Sequence, residues 1–518
     1  MIFRNVIQIE RARQAPPTAA HLAYRPAHAR ETAIAVGLFG LLPFVAMLLL
    51  VLGTTHGNFT YTLDDPYIHL ALARNLWHGH YGINASELSA PSSSILWPFL
   101  LAPFATLGAA FEYVPLAINA VCLFATVAVI HRMFAGMPAT PRYTITALLT
   151  LSLNLVGLVF TGMEHSLQVL LTAVAILPVL PVLRKRFEAT ATLPFHVIAA
   201  ITLLPLVRYE GLAISVPVLA FLFVRGYRRE AIVSMSIIGV VMVGFSLFLY
   251  ANGLGLLPSS VMAKTGLGQT AALLANLRSN LVIYGFLAIP LAWVLRVLWR
   301  TDRARFGVVL AASVLYFLFG RNGWFGRYEV FYLLFVVAMS ARLALRVGGK
   351  LLPAMLLLPL ALSMLVKPTL QTPFAAANVA SQQAQTARLA RMLNAPVAVN
   401  DLGLVALRSG QYTLDLWGLG SADALRHRVA HDPASNWMPA LMAAHHVRYA
   451  FVYSAWFPDR PASWIKVGEL VLNQKRVTAD DSVVSLYATD PAAAETLRNM
   501  LVDFGAQREW EAYSVKVE

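Results

Sequence analysis

The stretch AIAVGLFGLLPFVAMLLLVL at residues 33–52, followed after a short polar break by Tyr61-Thr-Leu-Asp-Asp-Pro-Tyr-Ile-His-Leu-Ala-Leu-Ala-Arg-Asn-Leu-Trp-His-Gly-His80, decides the fold. The first part is apolar over the length of about 20 residues that carries a helix across a bilayer. It is too long for the core of a secretory signal peptide. Arg4, Arg11, Arg13, Arg25 and Arg30 precede it, so the run is expected to be an uncleaved signal anchor with a cytoplasmic N-terminus. The Asp-Asp segment after it then faces the outer side.

Working outward, comparable apolar runs recur as far as residue 367. The chain has 518 residues, of which 58% are hydrophobic and 13% charged. Its mean hydropathy is +0.63. Soluble domains carry about a quarter charged residues, so this chain is solvated largely by lipid. The net charge of +14 would suit a nucleic-acid partner, but the basic residues fall in short loops between apolar runs. That is the pattern that orients membrane helices. The single cysteine, Cys122, excludes an intrachain disulfide.

Loops holding Arg184 to Arg186, Arg225 to Arg229, Arg296 to Arg305 and Arg342 to Lys350 are assigned to the cytoplasm. Those around Glu164, around Glu210, over 252–280 and over 323–329 face outward. Residues 94–134 form two apolar halves broken near Pro115, and parity requires an odd number of crossings between Asp65 and Arg142. Either one half is re-entrant or interfacial, or the charge rule fails there. The expectation is a polytopic α-helical membrane protein of about eleven or twelve spans, in a bacterial inner (plasma) membrane.

The division is 1–31 as a cytoplasmic segment, 32–367 as the transmembrane domain with an outer loop at 54–93, and 368–518 as an extracytoplasmic, periplasmic domain. After 368 no run could cross a bilayer. Residues 380–393 and 438–446 have helical periodicity, while 396–400, 448–453 and 483–488 read as strands, giving a small mixed α/β domain. No internal repeat is visible.

Chemistry concentrates in the first outer loop. Asp64 and Asp65 precede Pro66, which suits the first turn of a helix that either aspartate can cap. Ile68, Leu70, Leu72, Leu76 and Trp77 then make that helix amphipathic, fit to lie on the membrane surface. A carboxylate there could act as a general base on a hydroxyl, or bind a divalent cation, or simply cap the helix. Ionisable residues at span ends, such as Arg208, Lys264 and Arg327, are functional candidates, against snorkelling to headgroups. For Arg208 an ion pair with Glu210 is an alternative. Glu164 is either a partner to a sugar or an arginine, or a hydrated helix-end carboxylate. His69, His78 and His80, like His445 and His446, are expected to be solvated or interfacial rather than metal ligands. Trp417, Trp437 and Trp456 are expected in packing.

The loop continues through Gly79, Tyr81, Gly82 and Asn84 to Ala90-Pro-Ser-Ser-Ser-Ile-Leu-Trp97 at a span start. Thr161-Gly-Met-Glu-His-Ser-Leu167, Arg208-Tyr-Glu-Gly-Leu212, Arg327-Tyr328, Asn400-Asp-Leu-Gly403 and Leu414-Asp-Leu-Trp-Gly-Leu419 follow in order. The set resembles the arabinofuranosyltransferase-like group of the GT-C glycosyltransferase superfamily, over roughly residues 32 to 420. Two positions depart from the pattern: Tyr209 stands where proline is usual and His165 where a small hydroxyl residue is common.

The resemblance implies a glycosyltransferase that moves a sugar from a polyprenyl-phosphate donor to an acceptor hydroxyl outside the cytoplasm, on an envelope glycan, glycolipid or glycoprotein. Asp64 or Asp65 would be the base, with Asp65 slightly favoured. Arg208, Lys264 and Arg327 would bind the donor phosphate, and Glu164, Glu210 and Tyr67 would contact sugar or acceptor. No cofactor is required with certainty and a divalent cation is left open. The rivals are a transporter or flippase of lipid-linked sugars, which usually shows repeated halves and mid-span charges, and a non-catalytic envelope assembly protein.

Overall fold

The computed structural model describes residues 29–181, 193–265, 270–346, 352–507 and 511–518. The basic residues Arg184 to Arg186, Lys350 and most of the N-terminal segment lie outside them. Four helices among the described residues are long and apolar enough to cross a membrane: Ala29–Thr54, Leu96–Met133, Arg228–Ala251 and Leu273–Thr301. The other apolar runs fold into shorter helices, including Phe195–Val207, Leu212–Val224, Arg303–Phe319 and Val330–Arg346. A helix of 17 residues such as Val330–Arg346 reaches about 25 Å, short of the ~30 Å hydrocarbon core. Against the expectation of about eleven or twelve spans, four helices among the described residues have spanning length.

The ambiguous stretch 94–134 is uneven. Pro98 and Pro103 interrupt its first half, which becomes a short helix Leu96–Leu101 and a 3-10 segment Ala102–Tyr113 with Gly108 at φ 59°. Tyr61 donates its hydroxyl to the Glu112 carbonyl at 2.7 Å, tying that segment to the first loop. Only the second half, Val114–Met133, is a regular helix of 20 residues.

Val330–Arg346 runs through the centre of the bundle, with every residue from Val330 to Ala344 buried. Arg228–Ala251 lies at the periphery with an exposed apolar face. At one end of the bundle Arg225 and Arg305 share Asp302, and Arg142 meets Glu31 at 2.7 Å. At the other end the segments around Asp65, Glu164, Glu210 and Arg327 converge.

Leu352–Met364, the π-helical turn Leu365–Thr369 and Leu370–Ser381 follow one another without a linker at residue 368. Thr54 at the end of the first helix donates its hydroxyl to the Pro373 carbonyl at 2.9 Å. Beyond Gln383–Leu393 the chain forms a six-stranded sheet of order β2-β1-β3-β5-β4-β6, with β1 Val397–Val399, β2 Thr413–Asp415, β3 Tyr449–Val452, β4 Ile465–Leu472, β5 Val483–Ala488 and β6 Tyr513–Val517. β1 pairs in parallel with β2 and β3, and the remaining pairs are antiparallel. The expected strands at 396–400, 448–453 and 483–488 correspond to β1, β3 and β5.

Candidate active site

Helix Asp65–Trp77 is the centre of the site. Pro66 sits in its first turn, as expected, but neither aspartate caps it. It does not lie on a membrane surface either: Pro66 to Ala73 are all buried. Its apolar residues serve two protein contacts, the bundle on one side and the C-terminal domain on the other, which a pattern of alternating apolar and polar residues cannot distinguish from a lipid contact.

The contact with the C-terminal domain is made at both ends of helix Gly403–Arg408. The Asp64 carboxylate accepts the backbone N–H of Gly403 at 2.6 Å and of Leu404 at 2.9 Å. Arg74 donates to the carbonyls of Leu407 at 2.8 Å and Ala406 at 3.2 Å. A hydrogen-bond acceptor thus meets the helix N-terminus and a cation its C-terminus, satisfying backbone groups that have no partner within the helix. This helix follows β1, the strand between β2 and β3, so Asp64 fills the position where open α/β folds hold an anion. Gly403 is required there, because a Cβ would lie 2.1 Å from the Asp64 carbonyl oxygen.

Asp65 points the other way. Its carboxylate receives Arg327 at 2.5 Å and its side chain is 32% exposed. Arg327 is 2% exposed and also donates to the Tyr328 hydroxyl at 2.9 Å. Its Nε and Nη1 have no hydrogen-bond partner among the described residues. Asp401 completes the acidic side of the site. Its carboxylate accepts Gln383 at 2.9 Å and the Tyr453 hydroxyl at 2.8 Å. Burial pushes the Asp401 carboxyl above its ordinary value, with Asp65 adding to the shift. Burial, then Asp401, raise Asp64 likewise. Among the described residues no cluster of three or more His, Cys, Asp or Glu is arranged to hold a metal.

Arg208 is 4% exposed and already neutralised. It donates to Glu164 at 2.5 Å and to both oxygens of Glu210, at 2.8 and 3.2 Å, as well as to the Ser93 hydroxyl at 3.2 Å. The ion pair considered for Arg208 therefore exists and is doubled. Glu164 is fully buried rather than hydrated. The expectation that His69 is solvated or interfacial is overturned as well: it is buried at 3% exposure, with Nε2 3.8 Å from Glu164. His78 and His80 bond to the carbonyls of Arg74 and Glu87. Tyr67 is 1% exposed and its hydroxyl accepts the Tyr61 N–H at 3.1 Å. The side chain of Lys264 lies outside the described residues.

Beside this network lies a cavity of about 740 Å³. Leu212, Val216, Leu257, Leu273, Leu315 and Phe319 make an apolar wall, and Arg208, Glu210, Arg321 and Tyr328 a polar end. Arg321 is half-buried and makes no ion pair among the described residues. Tyr328 joins cavity to carboxylate, since its ring lies 5.2 Å from the Arg208 guanidinium and 4.9 Å from that of Arg327. Arg321 was missed in the sequence because it lies just past the end of Arg303–Phe319 without a motif; the signal available was a second cation six residues before Arg327 in the same loop. Both departures from the family pattern flank this region: Tyr209 lines the cavity and the His165 ring is 5.6 Å from Tyr328.

A family model described as a domain of unknown function, DUF8728, matches residues 377–487. A comparison with curated proteins gave no match. Among solved structures, the oligosaccharyltransferase of Archaeoglobus fulgidus in complex with zinc and sulfate is similar at TM-score 0.43 and 12% identity, covering 86% of this chain and 73% of that one. The same enzyme in complex with an inhibitory peptide and a dolichol-phosphate is similar at TM-score 0.41 and 11% identity, covering 88% and 75%. At that distance only the chain's own side chains bear on its chemistry.

Proposed function

We propose that this protein is a membrane glycosyltransferase that moves a sugar from a polyprenyl-phosphate carrier to an extracytoplasmic hydroxyl, with Asp65 as the general base. The carrying observation is the cavity: its apolar wall suits an isoprenoid chain, and its polar end offers Arg321, a cation that makes no ion pair among the described residues. Arg208 cannot serve equally, because Glu164 and Glu210 occupy it. Arg327 pairs with Asp65 and keeps two donors without a partner among the described residues. A phosphate at the polar end of the cavity would accept hydrogen bonds from Arg321, and charge-assisted bonds of this kind stabilise the departing anion as the glycosidic bond breaks.

The division between the two aspartates supports the assignment of the base. Both oxygens of Asp64 are committed to backbone N–H groups. Asp65 is 32% exposed, with Arg327 on one oxygen, and so is the carboxylate of the pair that an acceptor hydroxyl can approach. Deprotonation of that hydroxyl during attack on the anomeric carbon is worth typically a hundredfold or more in rate. The ordered motifs of the GT-C resemblance run through the same residues.

The test is transfer in proteoliposomes. The purified chain would be supplied with the total polyprenyl-phosphate sugar fraction of the source cells and envelope material from cells lacking the gene. Asp65→Asn is expected to abolish incorporation while the protein inserts normally. Movement of lipid-linked sugar between leaflets without incorporation would instead establish the transporter reading.

A further inference from the structure

We propose that the C-terminal domain carries an acceptor subsite, in which a hydroxyl of a neutral sugar, other than the one that reacts, is held between Asn400 Nδ2 and Gln383 Oε1. This rests on the reading of the chain as a glycosyltransferase and names the chemical class of its acceptor.

The sheet sets the place. β1 lies between its parallel neighbours β2 and β3, so the chain passes from β1 to β2 on one side and returns to β3 on the other. Open α/β sheets take ligands at the carboxyl ends of the strands where connections diverge in this way. Asn400 and Asp401 follow β1 directly, Tyr453 follows β3, and Gln383 opens the helix Gln383–Leu393. Together they line a cavity of about 10 Å³, room for one water-sized group.

Hydrogen bonds fix what that cavity offers. Asn400 Oδ1 accepts the Tyr453 N–H at 2.8 Å, and Nδ2 is left buried without a partner among the described residues. Gln383 Nε2 donates to the Asp401 carboxylate at 2.9 Å, and Oε1 is left buried without a partner among the described residues. The two side chains are 5% and 6% exposed, and both line the cavity. Buried amide groups are seldom left in this state without a ligand or water. A hydroxyl answers both, because it accepts and donates through one oxygen; a carboxylate has no proton for Oε1, and an ammonium has no lone pair for Nδ2.

Of the lining residues only Asp401 is not buried, so the cavity opens past its carboxylate. Burial raises the Asp401 carboxyl, and Asp65 and Asp480 add to that shift, so the opening has an acidic surround that joins it to the proposed base. Like charges facing each other disfavour an anionic acceptor there and leave a polyol unaffected. Trp456 is half-buried, donates Nε1 to Asp480 at 2.5 Å and lies edge-on to Tyr453 with ring centroids 5.7 Å apart. Its indole puts apolar surface beside the polar cavity, the mixture that suits the carbons and hydroxyls of a sugar ring.

Two variants test the subsite in the proteoliposome assay, with acceptor and donor KM measured separately. Val484→Ile adds one methylene at the cavity wall and touches no polar group. Gln383→Met removes the unpartnered oxygen at nearly constant volume. Both are expected to raise the acceptor KM about tenfold and to leave the donor KM within about twofold. When the envelope material is separated by charge, its neutral fraction should serve as acceptor. Val484→Ile decides the matter if Gln383→Met does not fold. The proposal is overturned if the folded variants keep the acceptor KM within about twofold, the behaviour of a cavity holding only structural water, or if the anionic fraction is the one used. Should the parent protein transfer no sugar, the glycosyltransferase reading falls, and NMR saturation transfer to methyl glycosides from the full chain in detergent decides the subsite. Signal from the parent and not from Val484→Ile upholds it; equal signals, or none, overturn it.

Discussion

Asp64 and Gly403 stand 339 residues apart and are joined by a 2.6 Å hydrogen bond from the Gly403 backbone to the Asp64 carboxylate. With Leu404 and Arg74 this bond lays helix Gly403–Arg408 along the loop helix, so the C-terminal domain forms a wall of the candidate site. It also divides the labour of two adjacent carboxylates, one holding the domains together and the other left beside Arg327.

Gly403→Ala is expected to loosen this junction. The added methyl would lie 2.1 Å from the Asp64 carbonyl, and relief requires moving backbone, at a cost of about 1–3 kcal/mol. A lowered thermal midpoint in detergent, with faster proteolysis between the bundle and the sheet domain, is the expected result. Unchanged values would show that the junction yields without cost.

Asp64→Asn and Asp65→Asn should part company. The first keeps one oxygen for a backbone N–H and loses the second acceptor, leaving a buried N–H unsatisfied at a cost of about 1–3 kcal/mol, so it should mainly reduce stability. The second should reduce transfer by roughly a hundredfold or more with little change in the thermal midpoint. Steady-state transfer and thermal unfolding on both variants separate these outcomes.

Arg321→Ala should weaken donor use while sparing the fold, because the side chain makes no ion pair among the described residues. Loss of a charge-assisted bond of about 1.5–3 kcal/mol corresponds to a rise in donor KM of roughly tenfold to a hundredfold, measured by titrating the lipid-linked sugar fraction. Arg321→Lys should recover part of it, since a point charge replaces a planar fork.

Stability should fall as pH rises above the carboxylate range. Asp401 and Asp64 are both raised from 3.8, chiefly by burial. The folded state then binds more protons than the unfolded one, so their contribution is complete below 3.8 and is lost as pH climbs through the raised folded values. Asp401→Asn should flatten the dependence of the thermal midpoint on pH. A midpoint that climbs steadily from pH 5 to pH 8 would contradict this.

Tyr67→Phe should leave transfer intact. Its hydroxyl is used by the Tyr61 N–H, so the change removes one buried acceptor and costs about 1–3 kcal/mol of stability. A specific loss of transfer at unchanged stability would return Tyr67 to the site.

What the sequence alone determined was the kind of molecule and the neighbourhood of its chemistry. Twenty apolar residues at 33–52 demand lipid wherever they are placed, and loops low in basic residues mark out Asp65, Glu164, Glu210 and Arg327, which the fold brings together. Strands β1, β3 and β5 are legible from their β-branched and aromatic residues, whereas β2, Thr413-Leu-Asp415, holds one large apolar residue and ends on a carboxylate. Tertiary structure decided the roles. Asp64 and Asp65 are chemically identical neighbours, and only the arrival of Gly403 from far along the chain separates a clamp from a carboxylate paired with Arg327. The apolar face of the loop helix turned to protein rather than lipid, burying His69, because periodicity reports that a face is covered and not what covers it. Arg321 gained its meaning in the same way, from a cavity assembled by helices distant in sequence.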